Sequence, residues 1–182
     1  MNFYSRKHPE FSLCGLNCSL CPRFHVAGVS RCPGCGGKDF FLKHPSCGVI
    51  TCSRKNGTIE YCFECRLYPC QKYSSTSEKD SFITYRKVAV DMAKAKNNLA
   101  DYLGELKKKE ALLAYLLEKY DNGRMKNYYC LAVNLLEPED ISTMLNDIRR
   151  KDESDSDDVI KEIKRRIEER AKERAVEIRL RK

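Results

Sequence analysis

No run of about 18 apolar residues occurs anywhere in the 182-residue chain, so a membrane-spanning helix is not expected. The first ten residues, Met1 to Glu10, carry Arg6, Lys7, His8 and Pro9 where a secretory signal would place an apolar core. A cytoplasmic, reducing setting is the expectation that follows. Histidine is scarce, three in all, with His25 and His44 set among the cysteines. That is too few to assemble a Cys-His or Ser-His-Asp catalytic arrangement. No phosphate-binding loop or dinucleotide fingerprint is present, since Cys35-Gly36-Gly37 belongs to a turn. Strand and helix patterns do not alternate, which excludes a βα barrel. No catalytic constellation emerges, and the sequence leans away from an enzyme.

Cysteine is what the chain has in abundance. Ten of the eleven cysteines fall between Cys14 and Cys70, as Cys14-x3-Cys18-x2-Cys21, Cys32-x2-Cys35, Cys47-x4-Cys52 and Cys62-x2-Cys65-x4-Cys70. A C-x2-C spacing lets two thiolates on one tight turn reach a single tetrahedral ion. In Cys32-Pro33-Gly34-Cys35-Gly36-Gly37, proline pre-sets φ and glycine supplies the positive φ that turns backbone amides toward sulfur. A segment of about seventy residues is marginal on its own apolar core and needs staples. In a reducing compartment clustered cysteines favour metal over disulfide.

Spacing divides eight of the cysteines into two foursomes: Cys18, Cys21, Cys32 and Cys35, then Cys47, Cys52, Cys62 and Cys65. Each closes a loop short enough for a structural zinc site. Cys14 and Cys70 remain, free to enter either site or to pair across the ends of the segment. His44 stands three residues before Cys47, and with His25 the donors reach twelve, enough for three sites. The alternative cofactor is an iron–sulfur cluster, because Cys14-x3-Cys18-x2-Cys21 and the prolines beside Cys21, Cys32 and Cys70 suit cluster loops. Zinc held by four thiolates has no open position for water, so such sites are structural. Cys130, alone in an apolar helical run, reads as a buried small hydrophobe.

The formal net charge of +8 suggests nucleic acid until it is divided along the chain. Residues 1–73 hold ten Lys or Arg against four Asp or Glu, residues 74–151 hold fourteen against twelve, and residues 152–182 hold ten of each. The excess sits with the cysteines, where two four-thiolate sites would cancel most of it. Nucleic-acid contact is therefore the weaker expectation and a protein partner the stronger.

Beyond Ser74-Ser75-Thr76-Ser77, a polar break with capping chemistry, apolar residues take helical spacing from Phe82 through Met92 and on to Leu117. Asn97-Asn98 and Asp121-Asn122-Gly123 mark helix ends, and Pro138 suits a first helical turn. The polar cluster from Asp121 to Tyr129 is a second place to look for an anion or peptide carboxylate. An acidic stretch, Lys151 to Asp158, precedes Ile160, Ile163, Ile167, Ala171, Ala175 and Ile178, which predict an amphipathic helix about 25 residues long. Its stripe packs on the helical body or pairs with another chain through residues 157–182.

The run Cys14-Gly15-Leu16-Asn17-Cys18 with Cys21-Pro22, then Arg31-Cys32-Pro33-Gly34-Cys35-Gly36, then Tyr61-Cys62-Phe63-Glu64-Cys65 and Pro69-Cys70, resembles a prokaryotic family numbered 3795 among the domains of unknown function. The likeness spans residues 11 to about 73, and Asp121 to Leu136 is similar to a segment following that domain in longer members. The resemblance implies a cysteine-rich, metal-binding module and no particular activity. The expected architecture is a small metal-stabilised module of loops and short helices over residues 1–73, an all-helical domain over 74–151, and an acidic hinge with an amphipathic helix over 152–182.

Overall fold

A computed structural model describes residues 4–44, 46–71, 79–149 and 156–182. The expected break at Ser74 to Ser77 and most of the acidic hinge after Lys151 lie outside these. Among the described residues the chain is helical, with no strand and one isolated antiparallel bridge between Phe11 and Asn17. The cysteine-rich part is built from short 3-10 turns at Cys18–Leu20, Pro22–His25, Gly28–Ser30 and Cys62–Glu64, with helices α1 (Phe40–Lys43) and α2 (Gly48–Lys55). The helical body follows as α3 (Val88–Asn97), α4 (Leu99–Tyr120), α5 (Lys126–Leu135), α6 (Pro138–Arg149) and α7 (Ser156–Glu173).

Helix α4 is the axis of the body. Its 22 residues span about 33 Å, and Tyr102, Leu106, Lys109, Leu113 and Leu116 make one buried stripe at alternating steps of four and three. Helices α3, α5, α6 and α7 pack around it, as does the Cys18–Leu20 turn. Local chemistry sets the boundaries. Asn98 closes α3 and caps α4 by accepting the Asp101 N–H at 3.3 Å. Pro138 opens α6, where its missing N–H is not needed.

Two helical expectations are corrected. Residues 82–87 are turns, and the helix begins only at Val88. The cause is Asp80, whose Oδ1 accepts the Tyr85 N–H at 2.9 Å and the Thr84 hydroxyl at 3.3 Å, a local alternative to the helical ladder. The last helix is also shorter than expected: α7 has 18 residues and ends at Glu173, because the chain turns left-handed at Ala175 (φ 52°) and Val176 N–H bonds back to Ala171 O at 2.8 Å. Ala175 and Ile178 therefore lie beyond the helix. Val159, Ile163, Ile167 and Ala171 form its buried stripe, packed on α6 and α4.

The tail after α7 returns to the segment just before α3. Arg86 donates to Glu177 O (2.7 Å) and Arg179 O (2.6 Å), while Arg181 donates to both oxygens of Asp80 through its backbone N–H (2.8 Å) and Nη2 (2.9 Å). One hydrophobic core runs through the molecule: Phe11, Leu20 and Tyr61 of the cysteine-rich part join Met92, Tyr102, Leu106, Tyr129 and Ile163. A smaller cluster of Tyr4, Leu13, Cys35, Phe40 and Ile50 lies inside the cysteine-rich part.

Candidate metal centre

The cysteine loops are tied to one another by their backbones. Cys35 N–H donates to Pro9 O (2.9 Å), Cys32 N–H to Arg23 O (3.0 Å), and Cys62 N–H to Leu13 O (2.9 Å). Cys21 and Cys65 each close a turn onto the carbonyl three residues earlier, Cys18 and Cys62. All eleven cysteines are free thiols, and Cys32, Cys35 and Cys130 are buried.

The knuckle Cys14-Gly15-Leu16-Asn17-Cys18 is positioned by the helical body. Gly15 has φ +91°, and a Cβ there would sit 2.4 Å from Met92 Cγ on α3, so both conformation and space demand glycine. Asn17 is buried, donating to Asp91 Oδ2 (3.0 Å) and accepting from the Tyr102 hydroxyl (2.7 Å). Burial raises the Asp91 carboxyl to about 6, against the pull of Lys109, Lys87 and the Asn17 hydrogen bond. Lys109 is itself buried in the α4 stripe, its pKa lowered by burial, with its ammonium 3.3 Å from Asn134 O.

Hydrogen-bond donors converge on the sulfurs. Ser12 Oγ lies 3.3 Å from Cys14 Sγ, and the Leu16 N–H also bears on that sulfur. Backbone N–H groups of Cys35, of Leu13, and of Arg23 with Phe24 bear on Cys18, Cys35 and Cys21 respectively. Asn56 Nδ2 is 3.6 Å from Cys52 Sγ. Burial pushes the thiols up, Cys14 to about 11, Cys62 to about 12 and Cys18 well above the ordinary thiol value, while these donors pull the other way for Cys14 and Cys18. Such donors stabilise sulfur in its anionic, metal-holding form.

A residue that sequence reasoning passed over stands beside them. Arg6 is buried, donating to Phe11 O (2.7 Å) and twice to Glu60 O (2.7 and 3.1 Å), and its guanidinium hydrogen-bonds Cys35 and lowers that thiol against the upward push of burial. Nothing in the run Tyr4-Ser5-Arg6-Lys7 distinguishes Arg6 from its neighbour. Its role exists only because Gly36 O and Glu60, far along the chain, fold back onto it.

The structure gathers the cysteines in a pattern that differs from their order. Cys14, Cys52, Cys62, Cys65 and Cys70 line one cavity of about 40 Å³. Cys35 belongs to the smaller hydrophobic cluster, and Cys18, Cys47 and Cys62 pack against it. Cys21 lies within electrostatic reach of Cys32, and Cys130 of α5 within that of Cys21. His25 points away, its Nε2 2.6 Å from Ser19 O, and His44 stacks on Phe40 at 4.6 Å between centroids. No three Cys, His, Asp or Glu side chains among the described residues converge closely enough to hold an ion as they stand. The donor set nevertheless fits a metal: soft sulfur in quantity, amides aimed at it and a buried cation to offset thiolate charge.

The Asp121 to Tyr129 cluster spends its polar groups locally. Asp121 Oδ1 accepts from Gly123 and Met125 N–H (both 3.0 Å), and Asn122 Oδ1 accepts from Arg124 N–H (3.2 Å), which is the chemistry of a helix stop.

The class that emerges is a helical protein carrying a cysteine-rich, turn-built cap docked on its core. Residues 10–75, which include all ten clustered cysteines, match the model of the family described as Protein of unknown function (DUF3795). No curated protein and no solved structure matches the chain. No helix among the described residues is long and apolar enough to cross a membrane.

Proposed function

We propose that this is a zinc-binding protein whose ions hold the cysteine-rich cap in shape, and that the cap serves contact with another protein. The observation that carries the metal reading is the cavity rimmed by five cysteines, together with the backbone amides and Arg6 trained on neighbouring sulfurs. Soft thiolates at C-x2-C spacing suit zinc, with an iron–sulfur cluster as the alternative cofactor. Cys14, Cys18, Cys21, Cys32, Cys35, Cys47, Cys52, Cys62, Cys65 and Cys70 are the candidate ligands. Four thiolates close a site to water, so the ions would be structural.

Val29, Leu42 and Leu67, the most exposed large apolar side chains among the described residues, all lie on the cap at 92, 84 and 61%. Apolar side chains of this kind offer nothing to a phosphate backbone, which is bound by cations and hydrogen-bond donors. The stripe of α7 is occupied within the chain, so a coiled-coil partner there would have to displace α6 and α4.

Elemental analysis of protein purified without added chelator tests the metal reading. Two zinc ions per chain, lost to chelator with a fall in melting temperature, is the expected result. A brown sample carrying iron and acid-labile sulfide, or a metal-free chain whose cap stays fully folded, overturns it.

A further inference from the structure

A second cavity, of about 160 Å³, has none of the ten clustered cysteines in its wall. We propose that it is a binding site for a small uncharged organic molecule, about the size of a single six-membered ring and bearing one hydrogen-bond acceptor that meets the Asn134 side chain. The site is independent of the metal reading.

Four segments far apart in sequence enclose this space: the cap at Leu20 and Pro22, the turns before α3, one face of α5, and Leu180 of the tail. On α5 the contributing residues, Asn127, Cys130, Leu131 and Asn134, recur at steps of three, one and three and so share a single helix face. Asp80 shapes the rest. It holds the chain at Thr84 and Tyr85 in turns, and it accepts the Arg181 N–H at 2.8 Å, which fixes the neighbouring Leu180 at the cavity's edge. Junctions of this kind, where separate units meet, are where ligand sites concentrate.

The inner wall is closed to solvent, because Leu20, Ile83, Thr84, Cys130 and Asn134 are all buried. Phe82 is 56% exposed and marks the mouth, with the Arg23 guanidinium 4.8 Å from its ring centroid.

Size, charge and hydrogen bonding each narrow the ligand. An apolar space of about 150 Å³ admits a benzene-sized molecule. No lining residue has a charged side chain, so a carboxylate or ammonium would lose its water and find no counter-charge. Among the buried polar groups of the wall, the Thr84 hydroxyl is already used, donating to Asp80 Oδ1 (3.3 Å) and accepting from Arg86 (3.2 Å). Asn134 Nδ2 is buried with no hydrogen-bond partner among the described residues. An unmet buried N–H is costly and rare, and a carbonyl or ether oxygen on the ligand satisfies it. Cys130 stays a neutral thiol, pushed up to about 12 by burial, so binding is reversible and not covalent.

The test uses the full chain as purified and three probes observed by fluorine NMR: para-fluoroacetophenone, which offers a carbonyl, para-fluorotoluene, which has no such acceptor, and para-fluorobenzoate, which is charged. The ketone is expected to bind saturably, to show nuclear Overhauser contacts from its ring to methyl groups of Leu20, Leu131 or Leu180, and to move the Asn134 side-chain amide protons downfield. The benzoate does not bind. These readouts need no variant. In Asn134→Leu, which keeps the volume and removes the donor, ketone affinity falls about tenfold, the worth of one hydrogen bond, while toluene affinity does not fall. Absence of saturable ketone binding, contacts to methyl groups elsewhere, benzoate binding as tight as the ketone's, or a folded Asn134→Leu chain that keeps full ketone affinity overturns the proposal. None of these outcomes depends on zinc content, so a failure here leaves the metal reading standing.

Discussion

Gly15 and Asn17 show how single residues bind the cap to the body. In a Gly15→Ala variant the new methyl meets Met92 at a backbone angle that L residues rarely adopt, so a loss of about 2–3 kcal/mol is expected. A fall in the midpoint of thermal unfolding, partly restored by Met92→Ala, checks it. Asp91 gives a prediction in pH. Its folded carboxyl titrates near 6 against 3.8 for an ordinary one, so the folded state holds its proton longer. Stability from this group is therefore eroded as pH rises from about 4 to about 6, by about 2–3 kcal/mol in all. Asp91→Asn flattens that slope, and the difference between variant and parent melting curves across this window measures it. Both residues sit in or under the run Cys-Gly-Leu-Asn-Cys, whose cysteines stood out in the sequence as candidate ligands. The reasons for Gly15 and Asn17 did not, because Met92, Asp91 and Tyr102 stand more than seventy residues away.

At the scale of elements, apolar periodicity located the helices where burial alone decides them, as along α4, and caps placed their ends at Asn98 and Pro138. It failed where a polar side chain competes with the helical ladder. Asp80 holds residues 82–87 out of the helix and then clasps the tail, which no spacing of apolar residues encodes. Burial works against the Asp80 charge, but hydrogen bonds from Arg181 and Tyr85 outweigh it and hold the carboxyl at about 2. That depressed value gives stability present above about pH 4 and lost as the carboxyl takes its proton toward pH 2, about 1–2 kcal/mol once solvent screening is allowed for. Release of the last nine residues to protease over that interval, absent as a separate step in Asp80→Asn, is the measurement. The cysteine groupings were legible only along the chain. Spacing measures separation in sequence, whereas the fold gathers Cys14 with Cys52, Cys62, Cys65 and Cys70 around one cavity.

For the whole molecule, the continuous core from Phe11, Leu20 and Tyr61 to Met92 and Tyr102 makes cap and body one cooperative unit. Chelation is thus expected to lower a single unfolding transition and not to split it in two. Far-ultraviolet circular dichroism, which reports the helices, and tyrosine fluorescence, which includes Tyr4 and Tyr61, should move together after metal is stripped. Separate midpoints would mean that the shared core does not couple them.

That shared core also orders events on the ribosome. The cysteine loops leave first, yet the surface that Phe11 and Asn17 need is supplied by Tyr102, 32 residues after Cys70. At about 5–20 residues per second that is an interval of a few seconds. During it ten thiols trail from a nascent chain with nowhere to dock, and early capture of a cation would shield them from oxidants until the helices arrive.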